Sequence, residues 1–360
     1  MSMKTTVAVI GCGGIGTQKH LPALRRIGSV EIVGVCDIIV ERAEKAKRDF
    51  CPDAKVYKDY KQMLAELKPN VVHVCTPNKS HCQITCDALE SGAHVMCEKP
   101  MAKTAADARR MLETAQKTGK LLTIGYQNRC RPESLYLHKA CRRGDLGEIY
   151  FAKGHALRRR GVPTWGVFLN EEEQGGGPLI DIGTHALDLT LWMMDNHQPL
   201  YAVGTAYKKF RDKCTETGNP FGDWNPEEFT VEDSAFGFVV MKNGATVILE
   251  TSWALNTLDT AEATTTLCGT EAGADMQDGL RINRVEFGTQ GIYRPDLSVG
   301  GVDFFAGGAL SPSELEAELW IRAVREGSEL LVKPEQALVV TEILEAIYTS
   351  AETGKPVFFA

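Results

Sequence analysis

The sequence predicts an α/β chain of two domains. A doubly wound parallel sheet is expected over residues 1–125, and an α+β domain with a mainly antiparallel open sheet over 126–360. Three observations lead there. Short β-branched runs alternate with helical stretches through the first third, which calls for crossover connections and parallel strands. Strand-like runs then follow at short spacing, with Asn243-Gly244 between two of them as a hairpin signal. A length of 360 residues suits two domains that each bury a core.

The elements follow in order. Val7-Ala8-Val9-Ile10 is an apolar β-branched run, and strands are expected over 7–10, 30–36, 71–75, 94–97 and 121–125. Between them, helical stretches are expected over 16–27, 40–50, 60–67, 81–91 and 104–118. Beyond residue 125, strands are expected over 149–155, 202–208, 234–241, 245–253, 263–268 and 284–287. Helices are expected over 184–194, 313–325 and 334–349, the last of them able to pack back on the first domain. Residues 211–229 and 288–312 are rich in Gly, Pro and Asp and read as long loops. All five Trp lie after residue 160, where an apolar body with a polar handle suits a cleft or a subunit contact.

Composition excludes more than it identifies. The formal net charge is -7 with both signs mixed along the chain, so no basic face for nucleic acid is expected. Eleven cysteines make an odd number without any C-x-x-C pair, and they read as reduced thiols. No run of 18 apolar residues and no leader-type apolar segment occurs, so the expectation is a cytoplasmic chain without a membrane span.

Gly11-Cys12-Gly13-Gly14-Ile15-Gly16 matches G-x-G-x-x-G between a strand and a helix, the context in which the pattern carries meaning. Gly11 permits the turn, Gly13 lets backbone approach a pyrophosphate, and Gly16 allows close helix–strand packing. Free N–H groups at the helix start suit phosphates. Asp37 follows Gly16 by 21 positions and ends the second strand, where a carboxylate can bind both adenosine ribose hydroxyls and repel a 2′-phosphate. The expected cofactor is therefore NAD and not NADP. Thr76, Pro77, Asn78 and His81 follow the third strand, and Glu98-Lys99-Pro100 follows the fourth. Ligands of open α/β sheets sit beyond such strand ends. Thr76 and Asn78 also serve as turn formers, and an exposed lysine is commonly just solvated; Lys99, held beside a cleft by a rigid proline, reads as functional.

A second constellation lies at Gly175-Gly176-Gly177-Pro178-Leu179-Ile180-Asp181-Ile182-Gly183-Thr184-His185, read as a flexible loop entering a helix. Asp181 and His185 are four apart, on one helical face, with Asp188 three further on. A carboxylate beside an imidazole makes a general base suited to neutral pH. Two other readings stay open: a helix start where Asp caps and His packs, and a divalent metal site, for which the ligand set is thin. No metal is expected. Arg158-Arg159-Arg160 reads either as a solvated run or as a fork for a substrate carboxylate or phosphate, with Arg158 the substrate-binding candidate.

The glycine motif, Cys75-Thr76-Pro77-Asn78, Glu98-Lys99-Pro100 and the glycine run with Asp181 and His185 together resemble the Gfo/Idh/MocA oxidoreductase family. The resemblance spans the chain, through Val332-Lys333-Pro334-Glu335-Gln336-Ala337-Leu338 to Gly354-Lys355-Pro356-Val357. It implies that Lys99 orients a substrate hydroxyl, that His185 removes its proton, and that Asp181 supports both. It further implies that Glu98 and Asn78 seat the nicotinamide ribose. Gln127 and Asn128, in a segment where Cys130 replaces the family's aromatic residue, are implied near nicotinamide and substrate. Trp165 matches a tryptophan that packs by the cofactor and is taken as a substrate contact too.

The expected activity is NAD-dependent oxidation of a secondary hydroxyl on a sugar, glycoside or polyol, with a neutral glycoside or inositol preferred. A redox-assisted glycosidase with tightly held NAD and a non-catalytic NAD-binding sensor are the rivals. The open sheet face is expected to make a homo-oligomer.

Overall fold

The computed structural model of the chain describes residues 4–215, 218–297 and 310–359. Two compact units emerge, Met1–Cys130 with Leu310–Leu338, and Arg131–Ala309 with Val339–Ala360.

In the first unit β1 (Thr5–Ile10), β2 (Val30–Cys36), β3 (Lys55–Tyr57), β4 (Val71–Val74), β5 (His94–Cys97) and β6 (Leu122–Ile124) form a six-stranded sheet. The order is β3-β2-β1-β4-β5-β6 and every pairing is parallel. Strand order therefore reverses between β1 and β4, which opens a crevice at their carboxyl ends. The crossovers are α1 (Leu21–Arg26), α2 (Val40–Phe50), α3 (Tyr60–Leu67), α4 (His81–Glu90) and α5 (Ala105–Thr118). Their ends carry local signals: Thr104 caps α5 by accepting from Asp107 N, and Gly119 closes it at φ 65. β3 is absent from the sequence expectation because three residues are too few to show a period.

The sequence expectation breaks the chain at 125 and lets the final helix return. In the structure the returning piece is larger. α6 (Pro132–Arg143), α7 (Glu171–Gln174) and α8 (Thr184–Met194) belong to the second unit, whereas α9 (Pro312–Glu326) groups with the first. Trp320 and Ile321 of α9 are 3% and 2% exposed, in one apolar cluster with Val7, Leu21, Val35 and Met96. A capping box starts α9: Ser311 Oγ accepts from Glu314 N, and Glu314 Oε2 accepts from Ser311 N. α10 (Pro334–Thr353) begins with the first unit and continues into the second.

The second unit holds β7 (Ile149–Leu157), β8 (Pro199–Tyr207), β9 (Ser234–Met241), β10 (Thr246–Ser252), β11 (Ala261–Gly269), β12 (Ala272–Asp275), β13 (Arg281–Glu286), β14 (Thr289–Tyr293) and β15 (Val357–Phe358). Among the described residues these nine make one sheet, β14-β13-β12-β11-β7-β10-β9-β8-β15, antiparallel except for the β7–β10 pair. β14 falls inside the stretch expected to be loop, since Gly288 and Gly291 punctuate a hairpin as readily as a loop.

One sheet face is stripped of side chains so that helices can approach. Gly204, Gly237, Leu249 and Gly154 are register partners in a row. A methyl group added at Gly204 or Gly237 would run into Ile347 of α10, and one at Gly154 would crowd Ala186 and Thr190 of α8. The opposite face carries the alternating rows Tyr201–Val240–Thr246–Phe151 and Val203–Phe238–Ile248–Lys153. Phe238 and Val203 are exposed there. Among the described residues, no helix is long and apolar enough to cross a membrane.

Candidate active site

β1 ends at Ile10, and Gly11 turns the chain at φ +97, a left-handed conformation that glycine adopts without strain. A side chain at Gly11 would meet the Cys75 carbonyl, and one at Gly16 the carbonyl of Gly11. Cβ atoms built on Gly13 and Gly14 point instead into open space. The loop is thus tight on its inner side and open on its outer side, where a phosphate can reach its N–H groups. Ile15 is exposed on that side. Asp37 is nearly buried; its Oδ2 accepts from Cys12 N and its Oδ1 from Ile39 N, both at 2.8 Å. The carboxylate so ties the end of β2 to the glycine loop.

At the neighbouring strand ends, Thr76, Pro77 and Asn78 follow β4, with Pro77 exposed. His81 is turned inward. It is fully buried, with Nδ1 2.8 Å from Pro100 O and Nε2 2.9 Å from Thr76 O, so it braces two turns and presents no face outward. Lys99 is half-buried, and the Lys99–Pro100 peptide is cis. Gln127 and Asn128 open a 3-10 turn after β6.

Glu98 directly follows β5 and points into the protein. It is 4% exposed, and its Oε1 accepts from Lys19 Nζ at 2.6 Å and from His20 Nε2 at 2.7 Å. Its Oε2 accepts from Lys99 N. Lys19 Nζ also donates to Gln127 Oε1 at 3.1 Å and pairs with Glu316 Oε2 at 2.9 Å, so three ammonium hydrogens meet three acceptors. Burial opposes the Lys19 charge, yet Glu316 and Glu98 together hold its pKa above the usual lysine range. Burial likewise opposes the Glu98 charge, and Lys19 and His20 hold that carboxyl well below its ordinary value.

The hydrogens on the two histidines follow from this. Glu98 is an acceptor only, so His20 Nε2 carries a proton. Burial lowers the pKa of both His20 and His73, so each ring is neutral at pH 7. His20 Nδ1 is then bare and accepts from His73 Nδ1–H at 2.8 Å. Gly125 leaves the room for the cluster: a Cβ there would lie 3.0 Å from Glu98 Oε1.

In the second unit, the glycine run proves packed, not flexible as the sequence suggests. A side chain at Gly176 would meet the Tyr348 hydroxyl, and one at Gly177 the Glu232 carbonyl. Glycine is present for close approach. The run enters a π-helical turn, Leu179–Gly183, that continues into α8; such turns recur at functional sites. Asp181 sits in it, half-buried, with Oδ2 accepting from Trp253 Nε1 at 3.1 Å. His185 follows in the first turn of α8 at 8% exposure, and Asp188 is buried behind it. The fork of Arg158, an expected substrate contact, is taken up within the chain. Glu262 fills it at 2.6 and 2.7 Å, while Nη1 donates to Gly161 O. Trp165 is 51% exposed, edge-on to Phe221 and Phe168 at ring-centre distances of 4.7 and 5.7 Å.

Sequence reasoning missed Lys19, His20, His73, Glu316, Glu232 and Trp253. A signal existed for the first three. Lys19 and His20 are buried at the end of the π-helical turn Gly16–His20 that leads into α1, and His73 interrupts the apolar run Val71-Val72-Val74.

Residues 5–126 match a family model described as "Oxidoreductase family, NAD-binding Rossmann fold", and residues 138–359 match its C-terminal alpha/beta domain. The chain belongs to the Gfo/Idh/MocA family. A curated relative, D-glucoside 3-dehydrogenase of Escherichia coli strain K12, is 35% identical over 97% of this chain and 95% of its own length. Among solved structures, an oxidoreductase domain protein from Kribbella flavida superposes with a TM-score of 0.85 at 22% identity, over 99% of this chain and 100% of that one. A levoglucosan dehydrogenase in complex with NADH superposes at 0.82 with 19% identity, over 99% and 100%. These two share the fold.

As a Gfo/Idh/MocA oxidoreductase the chain uses NAD, and its residues fit that cofactor. The glycine loop is open on its outer side and lies within one hydrogen bond of an acidic strand end, the donor and acceptor set that a dinucleotide requires. Asp37 makes a concrete expectation. NAD should show a far higher kcat/KM than NADP, and Asp37→Ser combined with Ile38→Arg should narrow the gap. Ile38 is 80% exposed, so the added guanidinium has room. Equal kcat/KM for the two cofactors in the unaltered protein would rule out this role for Asp37.

Proposed function

We propose that the chain oxidises a secondary hydroxyl of a sugar, glycoside or polyol. The similarity to D-glucoside 3-dehydrogenase across almost the whole length of both chains carries this reading. A neutral glycoside is the preferred substrate class. His185 takes the hydroxyl proton, and Asp181 keeps that imidazole oriented and supports its positive charge. Lys99 orients the hydroxyl and offsets negative charge developing on its oxygen. NAD, when bound, supplies the nicotinamide carbon that accepts hydride. Asn128 and Trp165 are assigned to the substrate, with Gln127, Asn78 and Thr76 at the nicotinamide end.

The test is a panel of glycosides, free sugars and inositols with NAD+, followed by absorbance of the reduced cofactor. A glycoside-dependent rise supports the reading. Release of a chromogenic aglycone without net cofactor reduction would replace it with the glycosidase, and no turnover with NAD bound would leave the sensor.

We further propose a homo-oligomer built on the outer sheet face, because Val203, Phe238, Ile248 and Phe151 share that face, with Val203 and Phe238 exposed and Ile248 and Phe151 half-buried. Light scattering should report a dimer or larger species, and Phe238→Glu should weaken it. A stable monomer of the unaltered chain at micromolar concentration would overturn the assignment.

A further inference from the structure

We infer that Glu232 and Trp253 are positioning residues that together hold Asp181 in place, one through its backbone and the other through its carboxylate. The inference rests on the catalytic reading of Asp181 given above.

The backbone arm begins at Glu232. Its Oε2 accepts from Gly177 N at 2.8 Å and its Oε1 from Leu179 N at 3.1 Å and from the Tyr348 hydroxyl at 2.8 Å. The Gly177 carbonyl in turn accepts from Asp181 N at 2.9 Å. Fixing residues 177 and 179 therefore fixes the turn on which Asp181 rides. Glu232 is 4% exposed. A buried carboxylate is costly unless several donors satisfy it, and here three donors do.

The side-chain arm begins one residue on. Asp233 O accepts from Trp253 N at 3.0 Å and from Ser252 Oγ at 3.1 Å. Asp233 Oδ2 accepts from Phe210 N, and Ser234 Oγ lies 2.9 Å from Ser252 Oγ. The backbone at Trp253 is thereby pinned, and its indole is wholly buried with Phe229 alongside. Its one N–H donates to Asp181 Oδ2. A buried indole needs a partner for that hydrogen, and the partner is the carboxylate. Adjacent residues 232 and 233 thus anchor the two arms at one place.

Trp253→Phe keeps an aromatic ring and removes the donor. A hydrogen bond to a charged group corresponds to roughly 10–100-fold, so kcat should fall by about that factor while the Kd for NAD is unchanged. A double-mutant cycle separates positioning from general packing. In an Asp181→Ala background, Trp253→Phe should cost almost no further activity. Glu232→Gln should show the same pattern, and it carries the cycle if Trp253→Phe does not fold. An equal fold-loss in both backgrounds would overturn the inference, as would full turnover in both single variants. If Asp181→Ala itself turns over like the unaltered enzyme, the catalytic reading of Asp181 falls, and the positioning role falls with it.

Discussion

His185→Ala is expected to lower kcat by about 10²–10⁴-fold, the usual contribution of a positioned general base. The glycine loop and Asp37 are untouched by it, so NAD affinity should stay near that of the unaltered enzyme. The pH profile of kcat/KM should rise through the ionisation of the base, and His185→Ala should abolish that rising limb. Asp181→Asn should keep the fold and weaken the same limb, since an amide supports an imidazolium poorly. Lys99→Ala should raise KM and lower kcat together. Folded, NAD-binding His185→Ala enzyme with normal turnover would remove His185 from the chemistry.

The largest expected effect on stability is at Lys19. Removing one partner of a buried ion pair costs about 3–5 kcal/mol, and Lys19→Met would leave the Glu98 and Glu316 carboxylates buried without their cation. Calorimetry should show a marked fall in melting temperature at pH 7.5. The pH dependence gives a second signature. His20 and His73 have folded-state pKa values below the ordinary histidine value. The unfolded chain therefore takes up protons first as pH drops through about 6.5, and wild-type stability should decline from pH 7 towards pH 5. In Lys19→Met the Glu98 carboxyl loses the cation that holds its pKa down, and acidification relieves its burial by protonating it. Its decline should be blunted. Unchanged melting of Lys19→Met at pH 7.5 would mean that the ion cluster contributes nothing to the fold.

The first unit was legible because its signals are local. Each long strand is an apolar run between turn residues, and the glycine motif lies within six positions. Asp181 and His185 stand four apart in the sequence, and a π-helical turn, not a regular helix, carries the aspartate. What escaped notice depends on contacts across the chain. Glu232 and Trp253 stand 51 and 72 positions from Asp181, and no periodicity links them. The pairing of Arg158 with Glu262 has the same character, because the two residues come from different strands. The contacts of Glu98 with Lys19 and His20 likewise span most of a hundred positions, and no local pattern announces them. Cys130, which departs from the aromatic residue of the family segment, fills a buried site where burial and Glu316 push its thiol up to about 12.

The placement of α9 bears on how the chain is made. Its Trp320 and Ile321 complete the apolar cluster over β1 and α1, and its Glu316 supplies one of three acceptors around Lys19. On a ribosome β1, α1 and Lys19 emerge first, but the helix that packs on them follows only after eight of the nine strands of the second sheet. At about 5–20 residues per second that interval is on the order of ten seconds or more. Throughout it the nascent nucleotide-binding half carries an open apolar seam and a lysine short of one counter-ion. The first domain to begin synthesis thus waits for most of the second before it can close, and a fragment ending at residue 130 would stay in that exposed state permanently.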